Sequence, residues 1–206
     1  MKIDKKMIMK SLKKLLPLVI VIIFTQGCKE KYTPKPREYF RIDFPQKEYT
    51  FIGNELPYNF EIPVYAFLEQ DLFNTDKPFW KNIEIPANKA EIHLSYYELP
   101  AANPDNRLKL NEYMEESRKL AYKHSIKADA ITEQVFMNPD KKVFGLIYRI
   151  EGNAASPIQF FLTDSTHHFL RGALYIRDVP NIDSLQPVID FLEPDVIRLI
   201  ESASWN

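Results

Sequence analysis

Cys28 carries the only thiol of the chain and stands directly after Gly27, at the end of an apolar run. A thiol placed there is chemically suited to acylation, after which cleavage before it would leave it as the first residue of the processed chain. The other groups with chemical potential are four histidines, His93, His124, His167 and His168. His93 and Ser95 are two apart in a segment that reads as a strand, so they share a face, as a Ser–His nucleophile pair requires. Ser95 lies in no Gly-x-Ser-x-Gly elbow, however, and a strand interior does not present a hydroxyl as that strained turn does. A hydrogen-bonded pair of strand side chains is the simpler reading. His167 and His168, with Asp164 nearby, are metal-ligand types, but adjacent strand residues point to opposite faces, and they read as turn residues. His124 closes a helical stripe, where the helix dipole favours its charged form, and reads as structural. Glu91, Glu112, Glu115, Glu116, Asp190 and Glu193 fall on solvated faces or near helix ends, with no pair set apart for acid–base work. The expectation is a non-enzyme with no metal and no cofactor.

The residues before Cys28 give it a context. Leu15 to Phe24 is a ten-residue, mostly Leu, Val and Ile run preceded by Lys2, Lys5, Lys6, Lys10, Lys13 and Lys14. That is too short for a bilayer core about 30 Å thick, which needs roughly 20 helical residues, and it matches the apolar region of a secretory signal. A small residue followed by Cys resembles a bacterial lipoprotein signal, in which the Cys thiol receives a diacylglyceryl group and its amine a fatty acid such as palmitate. Thr25 and Gln26 depart from the usual pattern, and an uncleaved anchor or an ordinary signal near Cys28 are the alternatives. Two or three acyl chains, at about 0.8 kcal/mol per buried CH₂, hold a protein on a membrane essentially permanently.

Residues 1–27 therefore read as a signal peptide, 28–47 as a lipid-anchored tether and 48–206 as one domain. Removing the signal takes away six lysines and Asp4, moving the formal charge from −1 to −6. An acidic protein with no basic patch is a poor nucleic-acid partner. With no second Cys, a core rather than a disulfide must stabilise the domain, and 45% hydrophobic residues supply one. After the signal only Gly53, Gly145, Gly152 and Gly172 remain, too scattered for a phosphate-cradling loop, so nucleotide chemistry is not expected.

Pro34, Pro36 and Pro45 make the tether a semi-rigid spacer, with Tyr39, Phe40 and Phe44 free either to pack on the protein's own domain or to form a strap for a partner. Strands are predicted at 49–53, 58–62, 81–85 and 90–98, and a helix from about 104 to 125 with a stripe of Leu110, Tyr113, Met114, Ser117, Leu120, Ala121 and His124. Segments 130–137, 143–151, 156–163 and 167–177, joined by short turns, predict a four-stranded antiparallel meander. A last helix spans about 183–202, with Pro187 placed in its first turn and Pro194 expected to kink or restart it. The fold class is α+β, an antiparallel sheet with helices packed on its faces. Its element order is similar to the Mog1/PsbP-like sandwich.

The run Tyr32-Thr-Pro-Lys-Pro-Arg37, then Tyr39-Phe-Arg-Ile42 and Pro45, resembles the gliding motility lipoprotein GldD family. So do Ile92-His-Leu-Ser-Tyr96 and Ser117-Arg-Lys-Leu-Ala-Tyr-Lys-His124 leading into Lys127-Ala-Asp-Ala130. The resemblance implies a single-domain envelope lipoprotein supporting surface gliding and the associated type IX secretion machinery, facing the periplasm from either membrane. It carries over no catalytic residue. Protein partners would meet the strap, with Tyr32, Pro34, Pro36, Arg37, Tyr39, Phe40 and Arg41 as candidate contacts. A second reading is a periplasmic carrier or sensor of an apolar ligand held between sheet and helix. A periplasmic hydrolase built on His93 or His167 ranks behind both.

Overall fold

Period-two alternation between Ala90 and Glu98 organises the molecule. Ala90, Ile92, Leu94 and Tyr96 are buried on one side, while Glu91, His93, Ser95 and Tyr97 take the other. The computed structural model describes residues 43–100, 104–123, 127–178 and 182–206. Five strands come first: β1 (Tyr49–Ile52), β2 (Tyr58–Pro63), β3 (Phe67–Gln70), β4 (Lys81–Ile85) and β5 (Ala90–Glu98). Helix α1 (Pro104–Tyr122) leads into β6 (Ala128–Asn138), β7 (Val143–Gly152), β8 (Ile158–Thr163) and β9 (His168–Ile176). Helix α2 (Ile182–Ser202) and the two-residue β10 (Ser204–Trp205) follow.

Seven strands form one antiparallel sheet in the order β3-β4-β5-β9-β8-β7-β6, and β1-β2-β10 form a second. The meander is β6 to β9, and β5 adds to its last strand over nine paired residues. One face of the large sheet meets α2 and the small sheet in a core containing Phe60, Ile83, Ile92, Leu94, Phe160, Leu174, Leu192 and Leu199. The opposite face meets α1 in a second cluster of Ala121, Tyr148, Ile150, Phe161 and Phe169. Covered on both sides, β8 is buried at every position, which is why Ile-Gln-Phe-Phe-Leu-Thr reads as an almost unbroken apolar run. Complete burial of a side chain such as Phe60 contributes about 1.5–3 kcal/mol.

Two glycines answer to geometry. Gly172 lies opposite Phe160 in register, and a Cβ there would fall 2.1 Å from the Phe160 ring. Gly152 ends β7 at φ 97° beside the irregularity in β6 between Ala128 and Ala130.

The α+β architecture stands as expected, with differences in detail. β3 and β10 were not anticipated. Met114, placed on the apolar stripe of α1, is exposed, whereas Ser117 and Ala121 are buried. α2 begins at Ile182, so Pro187 lies beyond its first turn, and the helical assignment runs through Pro194 as well.

Candidate functional site

Cys28 and the strap residues Tyr32, Pro34, Pro36, Arg37, Tyr39, Phe40 and Arg41 lie outside the described residues, as does His124. What is described is where the segment beyond them meets the domain. Phe44 stacks on Phe191 of α2, with ring centroids 4.2 Å apart and planes 11° from parallel. Three residues on, Lys47 Nζ donates to Asp195 Oδ2 at 2.6 Å, to the Phe191 carbonyl at 2.6 Å and to the Tyr65 hydroxyl at 2.8 Å. It also lies 3.4 Å from the Phe191 ring centroid. Tyr49 and Tyr65 donate their hydroxyls to Asp195, at 2.9 and 2.5 Å.

Pro194 lies in the same turn of α2. Lacking an amide hydrogen, it cannot donate to the Asp190 carbonyl, and its ring crowds the preceding turn. Lys47 supplies a charged donor at the next carbonyl, that of Phe191. Asp195, 1% exposed, has its carboxylate oxygens occupied by three donors, as a buried charge requires. Burial holds the Lys47 ammonium below its ordinary value in spite of Asp195. Burial, reinforced by Asp195, pushes the Tyr49 phenol up to about 12 and raises Tyr65 as well. Asp195 was not among the carboxylates singled out from sequence. Its signal was its position on the apolar stripe, three residues after Leu192 and four before Leu199.

The histidines sit in separate settings. His93 Nε2 is 3.0 Å from Glu91 Oε1, in an orientation that forms no hydrogen bond, and its ring lies beside Tyr175. His168 Nδ1 is 2.8 Å from the Tyr96 hydroxyl, and its ring stacks on Trp205 at 5.0 Å, 4° from parallel. Burial lowers the His168 pKa. His167 Nδ1 contacts Thr166 Oγ1 at 3.0 Å. Asp164 Oδ1 accepts the backbone amides of Thr166, His167 and His168 at 2.8–2.9 Å. Burial alone would raise the Asp164 pKa, but these bonds outweigh it and hold the carboxyl at about 2. Asp164 thus organises the turn between β8 and β9. Among the described residues, no group of three or more His, Cys, Asp or Glu has the arrangement of a metal site.

One carboxylate pair departs from the sequence reading. Glu91, assigned to a solvated face, has only 16% of its side chain exposed and sits opposite Glu84 in register, with Arg177 bridging the two. Burial, then the hydrogen bond with Glu91, raises the Glu84 pKa.

Two adjoining clefts open between the sheet and α1. One, of about 270 Å³, is lined by Pro78, Phe79, Tyr96 and Glu98 among others; the second, of about 250 Å³, by Ser95, Glu116, Ser117, Phe169 and Arg171 among others. Trp80, Tyr97 and Tyr113 line both. Their rings interlock, with Trp80–Tyr97 centroids 5.4 Å apart and Tyr97–Tyr113 centroids 4.6 Å apart.

These features define an α+β sandwich in which Phe44, Lys47 and Tyr49 fasten the start of the described chain to its last helix. The chain belongs to the family described as gliding motility lipoprotein GldD, whose model matches residues 29–205. Membership assigns the protein to gliding motility and to the lipoproteins of the cell envelope. No helix among the described residues is long and apolar enough to cross a membrane. Similar solved structures include the solution structure of cyanobacterial PsbP (CyanoP) from Synechocystis sp. PCC 6803. That likeness has 10% identity and a TM-score of 0.44, covering 79% of this chain and 95% of that one. At that distance it bears on neither partner nor ligand. No curated protein matches the chain.

Proposed function

We propose that the protein is held on a bacterial envelope membrane by acyl chains on Cys28, faces the periplasm, and supports gliding and type IX secretion by binding other components of those machines. It catalyses no reaction of its own in this reading. Family membership over residues 29–205 carries the proposal. The surface supports it: Phe73 is 95%, Leu72 77% and Phe67 57% exposed, a set of apolar side chains in the aromatic-rich front half of the domain. Asp71 fixes the Leu72–Phe73 loop by accepting the amides of Phe73 and Asn74 at 2.9 and 3.3 Å. The strap residues from Tyr32 to Arg41 supply a second contact in this proposal.

The test is deletion of the gene, complemented by variants, with colony spreading and export of type IX cargo scored together. Loss of both on deletion is expected, with rescue by His93→Ala and His167→Ala and failure of rescue by Phe73→Asp. Normal spreading and export in the deletion strain removes the proposal. Failure of either histidine variant at normal protein levels transfers the case to a hydrolase.

A further inference from the structure

Arg171 of β9 stands directly opposite Ser95 of β5, on the face of the large sheet that α1 covers. Its Nη2 donates to Gln159 Oε1 at 2.6 Å, while its Nε is buried and has no hydrogen-bond partner. No carboxylate among the described residues forms an ion pair with it. A buried guanidinium N–H left without an acceptor is costly, and an acceptor brought to the guanidinium by water, an ion or a ligand relieves that cost. The Ser95 hydroxyl beside it has no protein partner among the described residues either. Both groups line the 250 Å³ cleft, whose walls are Trp80, Tyr97, Tyr113 and Phe169. The cleft thus combines a cationic donor, a hydroxyl and aromatic rings in its lining.

Charge narrows the ligand. An anion satisfies Arg171 through a charge-assisted bond. Glu116, exposed at the edge of the same cleft, repels additional negative charge and so disfavours a dianion such as a phosphate ester. We propose that this cleft binds a small monocarboxylate with an apolar body, its carboxylate on the Arg171 guanidinium and the Ser95 hydroxyl and its body between the aromatic walls. The adjoining 270 Å³ cleft, which shares Trp80, Tyr97 and Tyr113, leaves room for a longer body. This activity goes beyond contact with protein partners and does not depend on it.

Full-length protein in detergent is titrated with 4-phenylbutanoate and, separately, with 4-phenylbutanamide, followed by calorimetry and by the fluorescence of its two tryptophans, of which Trp80 lines the cleft. The acid is expected to bind saturably and the amide at least about tenfold more weakly, because the amide cannot provide the anion. Arg171→Gln is expected to weaken the acid by a similar factor, and Tyr113→Ala to weaken both probes. Equal binding of acid and amide, unaltered binding of the acid by Arg171→Gln, or no saturable binding of the acid each overturns the proposal. The comparison of acid with amide needs no variant and decides the matter if Arg171→Gln fails to fold.

Discussion

Asp195 is an acid inside an apolar stripe, and what makes it tolerable is three donors from the other end of the chain: Lys47, Tyr49 and Tyr65. Asp195→Asn keeps an acceptor for one of the two tyrosines, which bond different carboxylate oxygens, and leaves the Lys47 ammonium, with 27% of its side chain exposed, without its counter-charge. The expected cost is about 2 kcal/mol, read as a lower urea midpoint with an unchanged slope. Adding Lys47→Met should recover a good part of it, because the uncompensated charge is then gone. A single variant within about 0.5 kcal/mol of the parent would mean that the pair contributes nothing. The helical period placed Asp195 on the buried side, and that much was legible. Its partners were not, since they lie 130–148 residues away and nothing in local spacing pairs them. The same holds for Arg171. Alternation in β9 puts it on the face of Phe169 and Ala173, but only the register of β5, β8 and β9 reveals Ser95 and Gln159 as its neighbours.

Elements with a strong period were readable and elements without one were not. β5 and the meander announced themselves through alternation and short turns, and β8 through continuous apolarity. β3 is four residues long with two of them exposed, and β10 is two residues long, so neither has enough sequence to carry a pattern. Both are held by pairing with a longer strand, β4 and β2 respectively. Gly172 gives the packing between β8 and β9 a direct test. In an ordinary strand, replacing Gly by Ala removes unfolded-state entropy and stabilises. Here the added carbon would meet the Phe160 ring at 2.1 Å, so Gly172→Ala is expected to destabilise by about 1–3 kcal/mol in chemical denaturation. A stability equal to or above the parent's would show that Phe160 can move aside.

For the whole molecule, the decisive prediction concerns residue 28. Cys28→Ser is expected to move the protein from the membrane to the soluble fraction, abolish fatty-acid labelling and reduce spreading toward that of the deletion strain. Retained membrane attachment would overturn lipidation at Cys28 while leaving family membership intact. The acidic domain itself offers no spanning helix among the described residues, so in this view attachment rests on the N-terminus.

The joint between Phe44, Lys47 and α2 then has a mechanical meaning. A tug on the chain ahead of Asp43 reaches the Phe44–Phe191 stack and the Lys47–Asp195 pair before it reaches Tyr49, the first rung of β1 on β2. Tension is thereby shared with a helix from the far end of the sequence instead of peeling a four-residue strand from its edge. Resistance to pulling is set by the rate of unfolding under load, which strengthens with contacts that must break first. In a cell that drags its own envelope across a surface, this fastening would set the force at which the domain begins to come apart.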